Sequence, residues 1–358
     1  MYTKRSIAAV MAVCCALSAF SCTEKKESKE DNKETVTEEV TTAAETTEAE
    51  EKDQDDSDDD ADNEEKVNIT DYVTVEKAAP AMWKVTDPET GNVLYMLGTM
   101  HMVTDDTFPL PDYVMDVYNN CSGIAVEYDI SQITSDMQQM QDFYAKLVYT
   151  DGTTVKDHIS SDTYEKLKKY MTDNYMYNEM MDSYTAGFWA SQVESVAIAD
   201  IGKMDVNGVD AKFIEMAQKD NKEVISIETI DIQTNALTAA SDELSDYMIS
   251  DTIDKALDKP SYTKDFAEMY DTWASGDVDG LDIEGDIDEL PDDLKDDYAE
   301  YADIILYDRN SGMADKAEEF LKNGKNYFFM VGAAHFAGGK GVDDLLEAKG
   351  YKVERVSA

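Results

Sequence analysis

The chain has 358 residues, 78 of them acidic and 31 basic, for a net charge of −47. Such a charge repels nucleic acid and anionic lipid head groups, which excludes both as partners. A disulfide-built domain is excluded as well, because Cys14, Cys15 and Cys22 fall at the N-terminus and only Cys121 remains beyond them.

Residues 1–22, MYTKRSIAAVMAVCCALSAFSC, carry two basic residues, an apolar run too short to span a membrane comfortably, and small residues before Cys22. This is the pattern of a secretory signal. It ends either in simple cleavage between Ala19 and Thr23 or in lipidation of Cys22, and the segment that follows favours lipidation. Residues 23–66 hold twenty acidic residues and six lysines with essentially no large apolar side chain. Burial cannot offset chain entropy there, so a disordered, self-repelling linker is predicted, holding a domain over residues 67–358 away from a surface. The expected location is the outer side of the cytoplasmic membrane, with the membrane engaged only through the N-terminal lipid. No second apolar run has spanning length.

The domain opens on NVLYMLGTMHM, residues 92–102, an apolar strand leading into Gly98-x-x-His101. PDYVMDVYNN, introduced by Pro111, reads as a helix, and GIAVEYD as a strand reaching Glu127. Cys121 between them is expected to be a buried small hydrophobe. Residues 131–200 are helical, with Met and Tyr as packing material; His158, just before the helix start SSD, is expected to be structural. GVDAKFIEMAQKDNKEVISIE predicts a helix over Val209 to Lys219, a turn at Asp220 and Asn221, and a strand ending at Glu228. Residues 236–322 are helical again and include Arg309 and Asn310. NYFFMVGAAHF, residues 326–336, then nearly repeats the opening run as a strand with Gly332-x-x-His335. A Gly-rich loop FAGGKG, a helix VDDLLEAK and a strand YKVERV follow, with Glu354 facing solvent.

Two strand, GxxH, helix, strand units imply a mixed α/β fold, a central and largely parallel sheet with inserted helical segments. Gly98 and Gly332 are expected to let the chain leave each strand through a tight turn. Functional groups collect beyond the carboxyl ends of strands in open α/β sheets, and His101, Glu127, Glu228 and His335 all fall there, so one crevice is expected to gather them. Two imidazoles and a carboxylate, His101, His335 and Glu127, form a common ligand set for a divalent metal, manganese, iron, cobalt or zinc, which would give hydrolysis. Glu228 is a general base, a partner of a ligand, another ligand, or structural. Arg309 and Asn310 hold a substrate carboxylate or an oxyanion, or else close a helix start with an ion pair.

The order MWKV, LYMLGTMHM, PLPDYV, AVEYD, GVDAKF…KEVISIETIDIQ, RN and VGAAHFAGGKGVDDLLEAKGYKV resembles the TraB/GumN (PrgY) family, related to the Tiki metalloproteases. The likeness runs from about Met82 to Val356. It implies a mixed α/β fold of two related halves and a divalent-metal-dependent peptidase. It places weight on His101, Glu127 and His335, with Glu228, Arg309 and Asn310 as secondary positions. The chain departs from the pattern in Ala333, Ala334 and Phe336 around the second histidine. The leading expectation is a surface-tethered metallohydrolase acting on a peptide. The competing ones are a catalytically silent protein that sequesters a peptide signal, and a hydrolase of a small-molecule ester or lactone.

Overall fold

The two apolar runs of the near-repeat lie side by side as parallel strands in a computed structural model, which describes residues 66–356 apart from 130, 282–286, 288 and 289. The predicted signal and, but for Lys66, the predicted linker lie outside the described residues.

The strands in chain order are β1 (Met82–Thr86), β2 (Val93–Thr99), β3 (Val103–Thr104), β4 (Gly123–Val126), β5 (Met204–Asp205), β6 (Glu223–Ser226), β7 (Tyr327–Gly332) and β8 (Lys352–Val356). Six form one sheet in the order β6-β4-β7-β2-β1-β8, while β3 and β5 pair separately. β6, β4, β7 and β2 run parallel, and β1 is antiparallel to both β2 and β8.

The parallel core is legible in β7, whose six residues are all buried. Phe328 and Met330 join Val114, Phe213 and Trp273 on one face, and Phe329 and Val331 join Trp83, Met313 and Leu346 on the other. Burying such a side chain contributes about 1.5–3 kcal/mol, so a strand apolar at every position is held centrally between two covered faces.

The helices are α1 (Asp112–Asn120), α2 (Ser131–Ser135), α3 (Met137–Ala145), α4 (Ser161–Asp173), α5 (Ala186–Ala199), α6 (Gly208–Lys219), α7 (Ile230–Leu237), α8 (Asp242–Ala256), α9 (Lys259–Ala274), α10 (Lys295–Ala302), α11 (Asp308–Asn323) and α12 (Val342–Ala348). Among the described residues no helix is long and apolar enough to cross a membrane.

Two expectations need correction. Parallel pairing of the two strands within a unit occurs in neither: β7 stands between β2 and β4, and β8 crosses to the far edge and pairs antiparallel with β1, because the β1–β2 hairpin occupies the space beside β7. The glycines are not turn residues either. Gly98 lies inside β2, where an added Cβ would meet Ala333 Cα at 3.1 Å, and Gly332 has φ −50, open to any residue. Gly98 therefore permits close approach of two chain segments rather than an unusual backbone angle.

A second buried carboxyl lies in the helical lobe. Glu194 on α5 accepts from Tyr262 on α9 at 3.3 Å and Thr252 on α8 at 3.4 Å. Lys255 and Asp251 on α8, Tyr170 on α4 and Tyr301 on α10 complete its electrostatic surroundings. Burial pushes its pKa up to about 7, against the two hydrogen bonds and Lys255. A carboxyl whose folded pKa is raised binds its proton more tightly in the native state. Its contribution is thus complete below the ordinary value near 4.5 and is lost as pH rises through 7. The isosteric, uncharged Glu194→Gln variant is expected to gain on the wild type by on the order of 3 kcal/mol between pH 4.5 and pH 8. Urea unfolding at both pH values measures this; equal gains at both would show that Glu194 does not titrate.

Candidate functional site

Four parallel strands end at one edge, and each delivers one of the singled-out residues. Glu228 follows β6, Glu127 follows β4, His335 lies in a short 3-10 turn, Ala333–Phe336, after β7, and His101 follows β2. The sheet order places them in that sequence across the crevice. Sheet-like pairing continues into the site, where the Glu228 amide donates to the Glu127 carbonyl at 2.9 Å.

The centre is an ion-paired network. Arg309, in the first turn of α11, donates from Nε to Glu228 Oε1 at 2.9 Å and from Nη2 to Glu228 Oε2 at 2.9 Å and Glu127 Oε2 at 2.5 Å. Its Nη1 donates to the Ile305 carbonyl at 2.9 Å. All three side chains are at most 7% exposed. The other Glu127 oxygen accepts from the Gly332 amide at 2.6 Å, and Gln233 on α7 donates to Glu228 Oε2 at 2.5 Å.

This arrangement separates the two carboxyls. Burial raises both, but at Glu127 the charge of Arg309, followed by the two neighbouring imidazoles and the Gly332 amide, prevails and holds the carboxylate well below its usual range. At Glu228 burial prevails over Arg309, the Glu127 charge adds to it, and the pKa is raised. Arg309 is held firmly protonated, since its two glutamates outweigh its desolvation. The two carboxyls are thereby driven in opposite directions, the pattern by which acid and base roles are separated.

Each histidine is anchored through Nδ1. Asn310 donates from Nδ2 to the Lys340 carbonyl at 2.9 Å, so its Oδ1, 2.6 Å from His335 Nδ1, accepts the imidazole proton. His335 Nε2 is thereby left as a bare lone pair, 3.6 Å from Glu127 Oε1. Burial, with Arg309 next, holds the His335 pKa down to about 3, and the charge of His101 acts in the same sense. His101 Nδ1 lies 3.0 Å from Asp210 Oδ2. Burial would lower the His101 pKa, but the charge and hydrogen bond of Asp210, with Glu127 behind them, raise it to about 9. Phe336, the unusual residue after the second histidine, stacks on Trp83 with centroids 4.1 Å apart and braces this turn.

These groups suit a divalent ion in kind. Ligating histidines ordinarily give their other ring nitrogen to a carboxylate or carbonyl; His335 does so to Asn310, while His101 Nδ1 stands in ion-pair contact with Asp210, whose Oδ2 is buried without a hydrogen-bond partner. Among the described residues no three His, Cys, Asp or Glu side chains are placed so that they could hold a metal ion together. The fit is therefore one of donor chemistry, not of a ready-made cage.

Other expectations fall outside this centre. His158 lies between Asp242 and Thr153, both at 2.7 Å, and stacks on Tyr149. Cys121 is buried with its thiol donating to the Tyr118 carbonyl, and Glu354 is exposed.

The sequence reading passed over Asp210, Gln233 and Thr99. Thr99 donates to Asp210 Oδ1 at 2.9 Å, so strand β2 supplies both the histidine loop and the hydroxyl that fixes its partner. The approach of α6 depends on Gly208, at φ +64, where a Cβ would come within 2.1 Å of the His101 carbonyl oxygen. The available signal was the triplet Gly208-Val209-Asp210, a glycine entry followed by a carboxylate in the first helical turn. Asp210→Asn is expected to weaken divalent-metal affinity about 10–100-fold, the usual cost of losing such a partner. Calorimetric titration with zinc would read it, and unchanged affinity would remove Asp210 from the site.

The TraB/PrgY/gumN family model matches residues 81–355. Similar proteins include metalloprotease TIKI2 of Xenopus tropicalis, 22% identical over 74% of this chain, and metalloprotease TIKI2 of Danio rerio, 20% identical over 76%. Metalloprotease TIKI1 of Homo sapiens is 21% identical over 74%. The chain spans 58–60% of the length of these curated relatives. No solved structure matches it. With the family model covering most of the chain and its two Gly-x-x-His loops meeting at one sheet edge, the protein belongs to the TraB/PrgY/gumN family.

Proposed function

We propose that this protein is a divalent-metal-dependent hydrolase, most simply a peptidase, held at the cell surface by a lipid on Cys22. The observation that carries the catalytic reading is the pair of Nδ1-anchored histidines on neighbouring parallel strands with the ionised Glu127 beside them. The distant likeness to proteins named metalloproteases supports the same reading.

In this reading His101, His335 and Glu127 hold the ion, with manganese, iron, cobalt and zinc as candidates. When bound, such an ion polarises a carbonyl and acidifies water. Asp210 and Asn310 keep the two imidazoles oriented with Nε2 toward the crevice. Arg309 keeps Glu127 ionised and positioned. Glu228, with its raised pKa, is the proton holder, and Gln233 fixes its carboxyl plane.

A second reading, a silent binder of peptides, is favoured by one observation: Glu127 already spends both oxygens on Arg309 and Gly332. Metal content of the purified protein together with cleavage of a peptide library separates the two. Stoichiometric metal with chelator-sensitive cleavage supports the hydrolase; peptide retained without cleavage in either metal state supports the binder. A library of esters and lactones tests the small-molecule alternative.

The tether has its own test. The acidic segment over residues 23–66 is suited to spacing a domain from a surface, so Cys22→Ala is expected to release the protein into the medium. Unchanged membrane association would sink the lipid anchor.

A further inference from the structure

We propose that Lys340, on the exposed Gly-rich rim beside His335, holds a carboxylate of the substrate, so that the preferred substrates are anionic near the reacting bond. The inference rests on the hydrolase reading for its substrate.

The rim is coupled to the site. Asn310 joins the two, with Oδ1 on His335 Nδ1 and Nδ2 on the carbonyl of Lys340. Gly339 and Lys340 are exposed immediately above the buried histidine turn, and the space around Gly339 is open. The ammonium of Lys340 stands 3.9 Å from the ring centroid of Tyr307, which precedes Arg309 by two residues.

Charge explains why this cation points to a ligand. The protein has more than twice as many acidic as basic side chains, yet among the described residues Lys340 makes no ion pair. An aromatic face fixes an ammonium without neutralising it, so the charge stays available to an anion. Arg309 is not available to it, because every Arg309 nitrogen already donates to Glu127, Glu228 or Ile305. Glu127, Glu228 and Asp210 make the crevice floor acidic, and an anionic substrate needs a counter-charge at the rim to enter.

Two arms test this. In the first, peptides matched in sequence but ending in a free carboxylate or an amide, and peptides with internal Glu or Gln, are compared by kcat/KM on wild type, Lys340→Arg and Lys340→Glu. The carboxylate preference is expected to persist in Lys340→Arg and to fall about tenfold in Lys340→Glu. The peptide pair that carries it tells a C-terminal carboxylate from an acidic side chain.

In the second arm, amide NMR shifts of Gly338 to Gly341 are followed on adding an N-acetyl dipeptide with a free carboxylate or its amide. Saturable shifts are expected with the carboxylate only, and are lost in Lys340→Glu. Shifts without hydrolysis of any peptide would overturn the hydrolase and leave this inference standing. Hydrolysis with equal preference in all three proteins and no carboxylate-specific shift would overturn this inference and leave the hydrolase.

Discussion

Arg309→Met is expected to cost about 3–5 kcal/mol of folding stability, the usual loss when one partner is taken from a buried ion pair. The guanidinium is the counter-charge for two carboxyls that are themselves buried, Glu127 and Glu228, joined to it at 2.5–2.9 Å. Methionine fills much of the same volume but leaves two buried carboxyls at the ends of the adjoining strands β4 and β6 without their counter-charge, and it removes a side-chain donor from the Ile305 carbonyl. Arg309→Lys would not repair the loss, since a single ammonium cannot span both carboxyls with the fork that arginine presents. Glu228→Gln makes a contrasting variant: Arg309 keeps Glu127 as its counter-ion, and burial already works against the charged form of Glu228, so the expected loss is smaller, about 1 kcal/mol. Urea midpoints of the wild type and these variants decide the matter. An Arg309→Met protein as stable as the wild type would show that the network does not hold the crevice together.

His101→Ala and His335→Ala are each expected to reduce metal-dependent hydrolysis at least about 100-fold while far-UV circular dichroism stays native. The two should differ in stability. His335 is buried, and its removal leaves Asn310 Oδ1 without a donor, a loss of about 1–3 kcal/mol; His101 stands at the mouth with its side chain 15% exposed and should cost less. Activity is therefore compared at a temperature where both variants are folded. Zinc titration of the same proteins provides a readout independent of turnover, and both variants should lose the tight site. His158→Ala is the control. Its ring is held between Asp242 and Thr153 and packs on Tyr149, outside the crevice, so stability should fall and metal affinity should not. A His101→Ala protein with wild-type metal affinity would remove the first Gly-x-x-His loop from the site and end the two-histidine reading.

The sequence by itself determined the parallel strands of the sheet and the end at which the chemistry-bearing residues gather. Apolar runs such as Tyr327 to Val331 can be satisfied only by cover on both faces, and a parallel strand so placed delivers its following residue to the carboxyl edge, as happens with His335, Glu127 and Glu228. That logic is local, because period and burial are written into each segment.

Tertiary structure decided which strands are neighbours and which partner each side chain takes. The near-repeat pointed to parallel pairing of the strands within each unit, yet β7 inserts between β2 and β4 of the first unit, and this insertion brings His335 beside Glu127. Arg309 read equally well as a substrate clamp or a helix-end charge, and only the approach of α11 to the ends of β4 and β6 commits it to two glutamates. Asp210 looked like an ordinary acidic residue in a first helical turn until Gly208 let α6 close on His101. In each case the deciding contact joins segments at least 81 residues apart, whose packing no local pattern encodes, so the choice belongs to the assembled core.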